Sequence, residues 1–194
     1  MIMRIFLLFL KIVFIVYTTY ATPQSIIKCS NNTTYWIIPD NNYNYAIRLQ
    51  GDIDLSNQYD ILNIDDKALQ YVLLDKVLYT DKNTKNSHTA ILSEYVAMES
   101  DLLMAKFKGK THIHSEIKTT STGKTVILWH FTLPEGKDRE VTAQLFADVI
   151  IGDKIFGLGA PLFAGQDLDS LKSFLMDAIA TIDTVKNMNA LCRK

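Results

Sequence analysis

Proline and glycine are scarce in this chain, 4 and 8 among 194 residues. With no run of either there is no linker and no low-complexity segment after the opening residues. Residues 22–194 therefore read as one domain, long enough for a proper core. An excess of one charge is missing too. Lys and Arg number 20 and Asp and Glu 21, and no basic stripe stands out, which removes the electrostatic footprint of a nucleic-acid binder. The familiar catalytic signatures are also missing: no Gly-x-Ser-x-Gly elbow, no Gly-Lys-Ser/Thr phosphate loop and no His-Glu-x-x-His helix occurs. "GLGAP" contains a Gly-x-Gly, but Pro161 stands where a dinucleotide-binding helix would begin. It reads instead as a strand with close backbone packing or a bulge. Asp65-Asp66 and Asp167/Asp169 read as turn and cap residues rather than as a catalytic dyad.

Cysteine occurs twice, as Cys29 and Cys192. Their separation has no metal-type spacing. In an oxidising compartment it suggests a disulfide joining the first strand to the tail of the last helix, with two free buried thiols as the alternative. The compartment is indicated by the opening "MIMRIFLLFLKIVFIVYTTYATPQS". Arg4 supplies a basic start, Ile5 to Tyr17 is apolar apart from Lys11, and Thr19-Tyr20-Ala21 places small residues where a signal peptidase reads. The run is shorter than the about 20 apolar residues of a membrane anchor and holds a lysine. Residues 1–21 thus read as a secretory signal peptide cleaved after Ala21. No stable membrane span is expected once it is gone, and a periplasmic or extracellular location follows.

"SIIKC", "TYWIIP" and "NNYNYAIRLQGDIDL" read as strands, with Tyr45, Ile47 and Leu49 alternating. "ALQYVLLDKVLY" fits helix and strand about equally, and the strand is preferred. "TAILSEYVAMESDLLMAKFK" predicts an amphipathic helix with Ile91, Tyr95, Met98 and Leu102 on its buried face. Two hairpins follow, turning through Ser121-Thr122-Gly123 and Gly152-Asp153. "DLDSLKSFLMDAIATIDTVKN" predicts a long closing helix, capped by Asp167, with Leu168, Leu171, Leu175, Ala178, Ile182 and Val185 on one stripe. That stripe needs an apolar partner, and the sheet is the one available. The expected fold class is α+β: an antiparallel sheet with an internal helix and a long C-terminal helix packed on it.

This order of elements, with "LKSFLMDAIATID" in the closing helix, resembles the PsbP-like fold. "ILSEYVAMESD", "WHFTLP" and "QLFADVIIGDKIFGLGAPLF" resemble secreted proteins of Bacteroidetes-type bacteria. The resemblance spans roughly residues 35–186 and implies an α/β sandwich in a periplasmic or secreted setting. It carries over no functional residues.

"THIHSEIK" is the most suggestive stretch for chemistry. Alternation puts His112, His114 and Glu116 on one strand face. With Ser121-Thr122-Gly123 as the loop, His114 falls opposite His130, Cβ atoms about 5 Å apart. His112, His114, His130 and Glu116 are therefore the candidate ligands for a transition metal ion. Against this, Ile113, Ile117, Ile127, Trp129, Phe131 and Leu133 occupy the opposite face of the hairpin. The histidine face is then the polar one by ordinary alternation, and this reading is preferred. The protein reads as a secreted or periplasmic, non-catalytic binding or accessory protein, more plausibly not an enzyme, with no cofactor and an unspecified protein or small-molecule partner. The alternative is a metal-binding protein or metal-dependent hydrolase using the histidine cluster.

Overall fold

The computed structural model describes residues 25–29, 33–41, 43–56, 60–80, 87–134 and 140–193. The leader and the cleavage point after Ala21 lie outside them. The early β-branched and aromatic runs form β1 (Ser25–Lys28), β2 (Thr34–Pro39), β3 (Asn44–Leu49) and β4 (Ile53–Leu55). After β5 (Ile61–Ile64) and β6 (Lys67–Asp75) comes a 3-10 turn, Lys76–Tyr79, and then α1 (His88–Lys106). The ambiguous "ALQYVLLD" is thus a strand, because it lies between two sheet partners, β5 and β10, that pair with both of its edges. The hairpins are β7 (Ile113–Thr119) with β8 (Thr125–Thr132), and β9 (Val141–Ile151) with β10 (Lys154–Phe163). Gly123 and Gly152 adopt φ of +82° and +62° in their turns, a conformation that costs glycine little. The chain closes with α2 (Leu168–Ala180), β11 (Asp183–Val185) and a second 3-10 turn, Met188–Arg193.

The strands form two antiparallel sheets rather than one. A seven-stranded sheet runs β4-β5-β6-β10-β9-β8-β7, and a four-stranded sheet runs β1-β2-β3-β11. The fold class is α+β, as expected. The closing helix is shorter than its apolar stripe. It stops at Ala180, where the Thr181 N–H donates to the carbonyls of Ala178 and Ile179. The stripe continues as Ile182, buried beyond the helix, and Val185, which pairs with Asn44 in the small sheet. Helical and extended segments here share one apolar face, so periodicity alone could not locate the junction. At the other end Asp167 accepts a 2.7 Å hydrogen bond from the Ser170 N–H, the expected cap.

Both faces of the large sheet are buried. One packs on α2 and the small sheet through Trp36, Tyr45, Leu128, Leu145, Phe156 and Leu175, among others. The other packs on α1 through Ile91, Tyr95, Leu103, Trp129, Phe131 and Phe146. Strand alternation divides every central strand between them: Phe156 and Leu158 of β10 belong to the first core and Ile155 to the second. The result is three layers, with α1 outside one face.

Helix α1 lies rotated from its expected orientation. Met98 is 44% and Leu102 57% exposed, whereas Leu92, Val96, Glu99 and Leu103 are buried beside Ile91 and Tyr95. The physical reason is that apolar and polar residues alternate around α1 without segregating, so its pattern defines no single inward face.

Cys29 and Cys192 are joined, with Cα atoms 5.3 Å apart. The bond links the end of β1 to the closing 3-10 turn rather than to the tail of a helix.

Candidate functional site

The edge hairpin has the register anticipated from its loop. Thr120 and Lys124 close the turn through a 2.9 Å backbone hydrogen bond, and His114 pairs with His130. The two imidazoles stack, ring centroids 5.0 Å apart and planes at 19°. Their face is not the polar side of the sheet. Val126 and Leu128 share it and are buried under the α2 layer. His114 and His130 stand where that apolar cover runs out, beside the first turn of α2. The histidine face is thus a helix-covered one: β8 lies between two cores, and its outer end meets polar groups.

Glu116 follows on β7. Its Oε1 lies 3.2 Å from Lys118 Nζ and 3.4 Å from Lys172 Nζ of α2. Partial burial works to raise the Glu116 pKa, but the two ammonium groups outweigh it and hold the carboxyl below its ordinary value. The opposite shift applies to His130. Partial burial, then the neighbouring His114 and the Lys172 charge, hold its imidazole below the usual histidine value. His130 is thus biased toward its neutral form, with Glu116 acting the other way, beside a Lys118–Glu116–Lys172 cluster. Together His114, Ser115, Glu116, Leu128, His130, Leu168 and Lys172 line an open cleft of about 440 Å³ between the edge hairpin and α2.

His112 does not join them. It precedes β7, is exposed, and ties to β8 through backbone bonds: its N–H donates to Thr132 Oγ1 at 3.1 Å and its carbonyl accepts from the Thr132 N–H at 3.0 Å. Among the described residues no group of three or more His, Cys, Asp or Glu side chains is placed to hold a metal ion. The four candidate ligands therefore divide into a stacked pair, a lysine-bound carboxylate and a separate surface imidazole.

A second polar cluster, not foreseen from the pattern, lies inside the core beneath α1. Asp148 of β9 is 1% exposed and accepts a 2.6 Å hydrogen bond from Trp129 Nε1. Burial pushes its carboxyl up to about 8, against the Trp129 hydrogen bond and with further help from Glu99. Glu99 itself, turned inward by α1, is raised by burial to about 7. Tyr95, fully buried, has no hydrogen-bond partner for its hydroxyl among the described residues. The space for Asp148 comes from β10, where Gly157 is its direct cross-strand partner and a Cβ there would collide with Oδ1. Gly159 does the same for Phe146, whose Cε1 lies 2.8 Å from where a Cβ would stand. The close packing read from "GLGAP" is thus confirmed in kind. An acid within the apolar "FADVII", set across from the glycines of "KIFGLG", is the signal that could have marked the buried carboxyl.

No protein-family model matches the chain. No curated protein matches it either. Among solved structures it is similar to the solution structure of cyanobacterial PsbP (CyanoP) from Synechocystis sp. PCC 6803. The TM-score is 0.46 at 9% identity, covering 87% of this chain and 95% of that one. A likeness at this level carries no argument about activity or partners. No helix among the described residues is long and apolar enough to cross a membrane.

Proposed function

We propose that the protein is an exported binding or accessory protein, without catalysis of its own, and that it contacts its ligand at the cleft beside His114 and His130. The carrying observation is the cleft's composition. Leu128 and Leu168 provide apolar wall, and His114, His130, Glu116 and Lys172 provide a few fixed polar groups. That mixture and size are typical of sites for small molecules or for a partner's side chain. The polar groups are held by strand pairing and by the Lys172–Glu116 contact rather than by a loop. Export agrees with the signal-like leader, with the Cys29–Cys192 bond and with the resemblance of "QLFADVIIGDKIFGLGAPLF" to secreted proteins of Bacteroidetes-type bacteria.

Amide chemical-shift mapping of the mature chain against a library of small polar molecules tests this. The expected result is saturable shifts confined to residues 114–116, 128–130 and 168–172, abolished in His114→Ala/His130→Ala. Turnover of any member of a broad hydrolase panel, with loss on changing a single residue, would abandon the non-catalytic half of the proposal. Shifts centred elsewhere would abandon the cleft.

A further inference from the structure

The carboxyls of Asp148 and Glu99 lie outside the cleft and serve no role in it, yet both are buried, Asp148 to 1% and Glu99 to 8% exposure. Among the described residues no basic side chain pairs with either of them. The groups facing Asp148 are Trp129 of β8 and Gly157 of β10, with Tyr95 and Glu99 of α1 close enough to interact electrostatically. Tyr79 of the preceding 3-10 turn completes the surround through its edge contact with Tyr95, ring centroids 5.1 Å apart. An ionised carboxylate in such surroundings keeps one hydrogen bond and loses its water, a cost far above that of the neutral acid. The charge of an ionised Glu99 would raise that cost further for Asp148.

Where that cost would be relieved is set by the layering. Helix α1 rests on the core that contains Trp129, Phe131 and Phe146, and shares none of the residues that hold α2 and the small sheet. Its outward residues Met98, Leu102 and Met104 are already exposed, so no further layer of described residues pins it down. It ends in a turn where Lys108 and Gly109 take φ of +53° and +71°. Lifting α1 would admit water to Asp148 and Glu99 while leaving the other core closed.

We propose that α1 is a proton-held flap: Asp148 and Glu99 keep it seated on the sheet while protonated, and their ionisation releases it. Release bares Trp129, Phe131 and Phe146 together with the apolar underside of α1. The exported protein thereby presents a large apolar surface only in neutral to alkaline surroundings.

Hydrogen exchange read by mass spectrometry on the disulfide-intact mature chain tests the flap, at about pH 5.5 and about pH 8.5, on either side of the two raised values. After correction for the intrinsic exchange rate, protection over residues 88–106 should fall at least about tenfold more than protection over residues 168–180. Asp148→Asn, which keeps an acceptor for Trp129 and cannot ionise, should hold α1 protected at both pH values. Glu99→Gln, near the sheet surface and able to accept the same packing, should reduce the difference and carries the test if Asp148→Asn does not fold. Equal loss over the two helices would overturn the flap, since the domain would then be yielding as one unit. So would pH-independent protection of α1, or an unchanged difference in both variants.

Discussion

The two faces of the seven-stranded sheet bury similar aliphatic and aromatic side chains, but they are held by different means. Beneath α2 and the small sheet the contacts are Trp36, Ile47, Leu145, Phe156 and Leu175, and the cover comes from a helix and a second sheet together. Beneath α1 a single helix does the covering, and the layer includes Asp148 and Glu99, the buried carboxyls of the described residues. The first face holds no buried carboxyl among the described residues, and its apolar area responds weakly to pH. The second depends on area and on two protons. Burial alone therefore does not tell how firmly a layer is held.

The largest expected effect tests the area-only face. Phe156→Ala removes a fully buried ring packed on Tyr45 and Tyr71, and should lower unfolding free energy by about 4 kcal/mol in urea titrations. The loss should be the same at acid and alkaline pH; a marked pH dependence would erase the contrast between the faces. Next comes the orientation of α1. Leu103→Ala, at 2% exposure, should cost about 3 kcal/mol, and Leu102→Ala, at 57%, less than about 1 kcal/mol. Similar costs would mean that the helix sits on its other side.

The contrast is sharpened further by pH itself. Both carboxyls bind protons more tightly folded than unfolded, Asp148 at about 8 and Glu99 at about 7. Unfolding therefore releases protons as pH rises from the ordinary carboxylate range to those values. Their contribution is fully present below about pH 4, declines as pH rises through the two raised values and is gone above about pH 8. Urea titrations across that range should show it, and Asp148→Asn/Glu99→Gln should flatten it. The smallest effect belongs to the cleft rim. Lys172→Met breaks partly exposed ion pairs with Glu116 and Asp169 and should change stability by less than about 1 kcal/mol, while weakening any ligand found by shift mapping.

Much of this architecture was legible in the residues, for identifiable reasons. The hairpin turns announce themselves through Gly123 and Gly152, and once the first loop is placed, pairing brings His114 to His130. What escaped was what depends on layers. Alternation in "TVILWHFT" marks two faces but not whether the second is wet, and here it meets α2. The face of α1 escaped because Met98 and Leu102 fit the helical period as well as Val96 and Leu103 do. Asp148 escaped because an acid inside "FADVII" acquires meaning only when Gly157 is known to lie across from it. Of the proposed metal ligands, sequence spacing could align His112, His114 and Glu116 but could not reveal that Lys118 and Lys172 already claim the carboxylate.

The bond between Cys29 and Cys192 spans 163 residues of sequence. A protease that cuts any single peptide link inside that span leaves one covalent molecule, its halves still stapled at their far ends. Such damage becomes a nick rather than a severance, and a nicked copy keeps its two ends tied together.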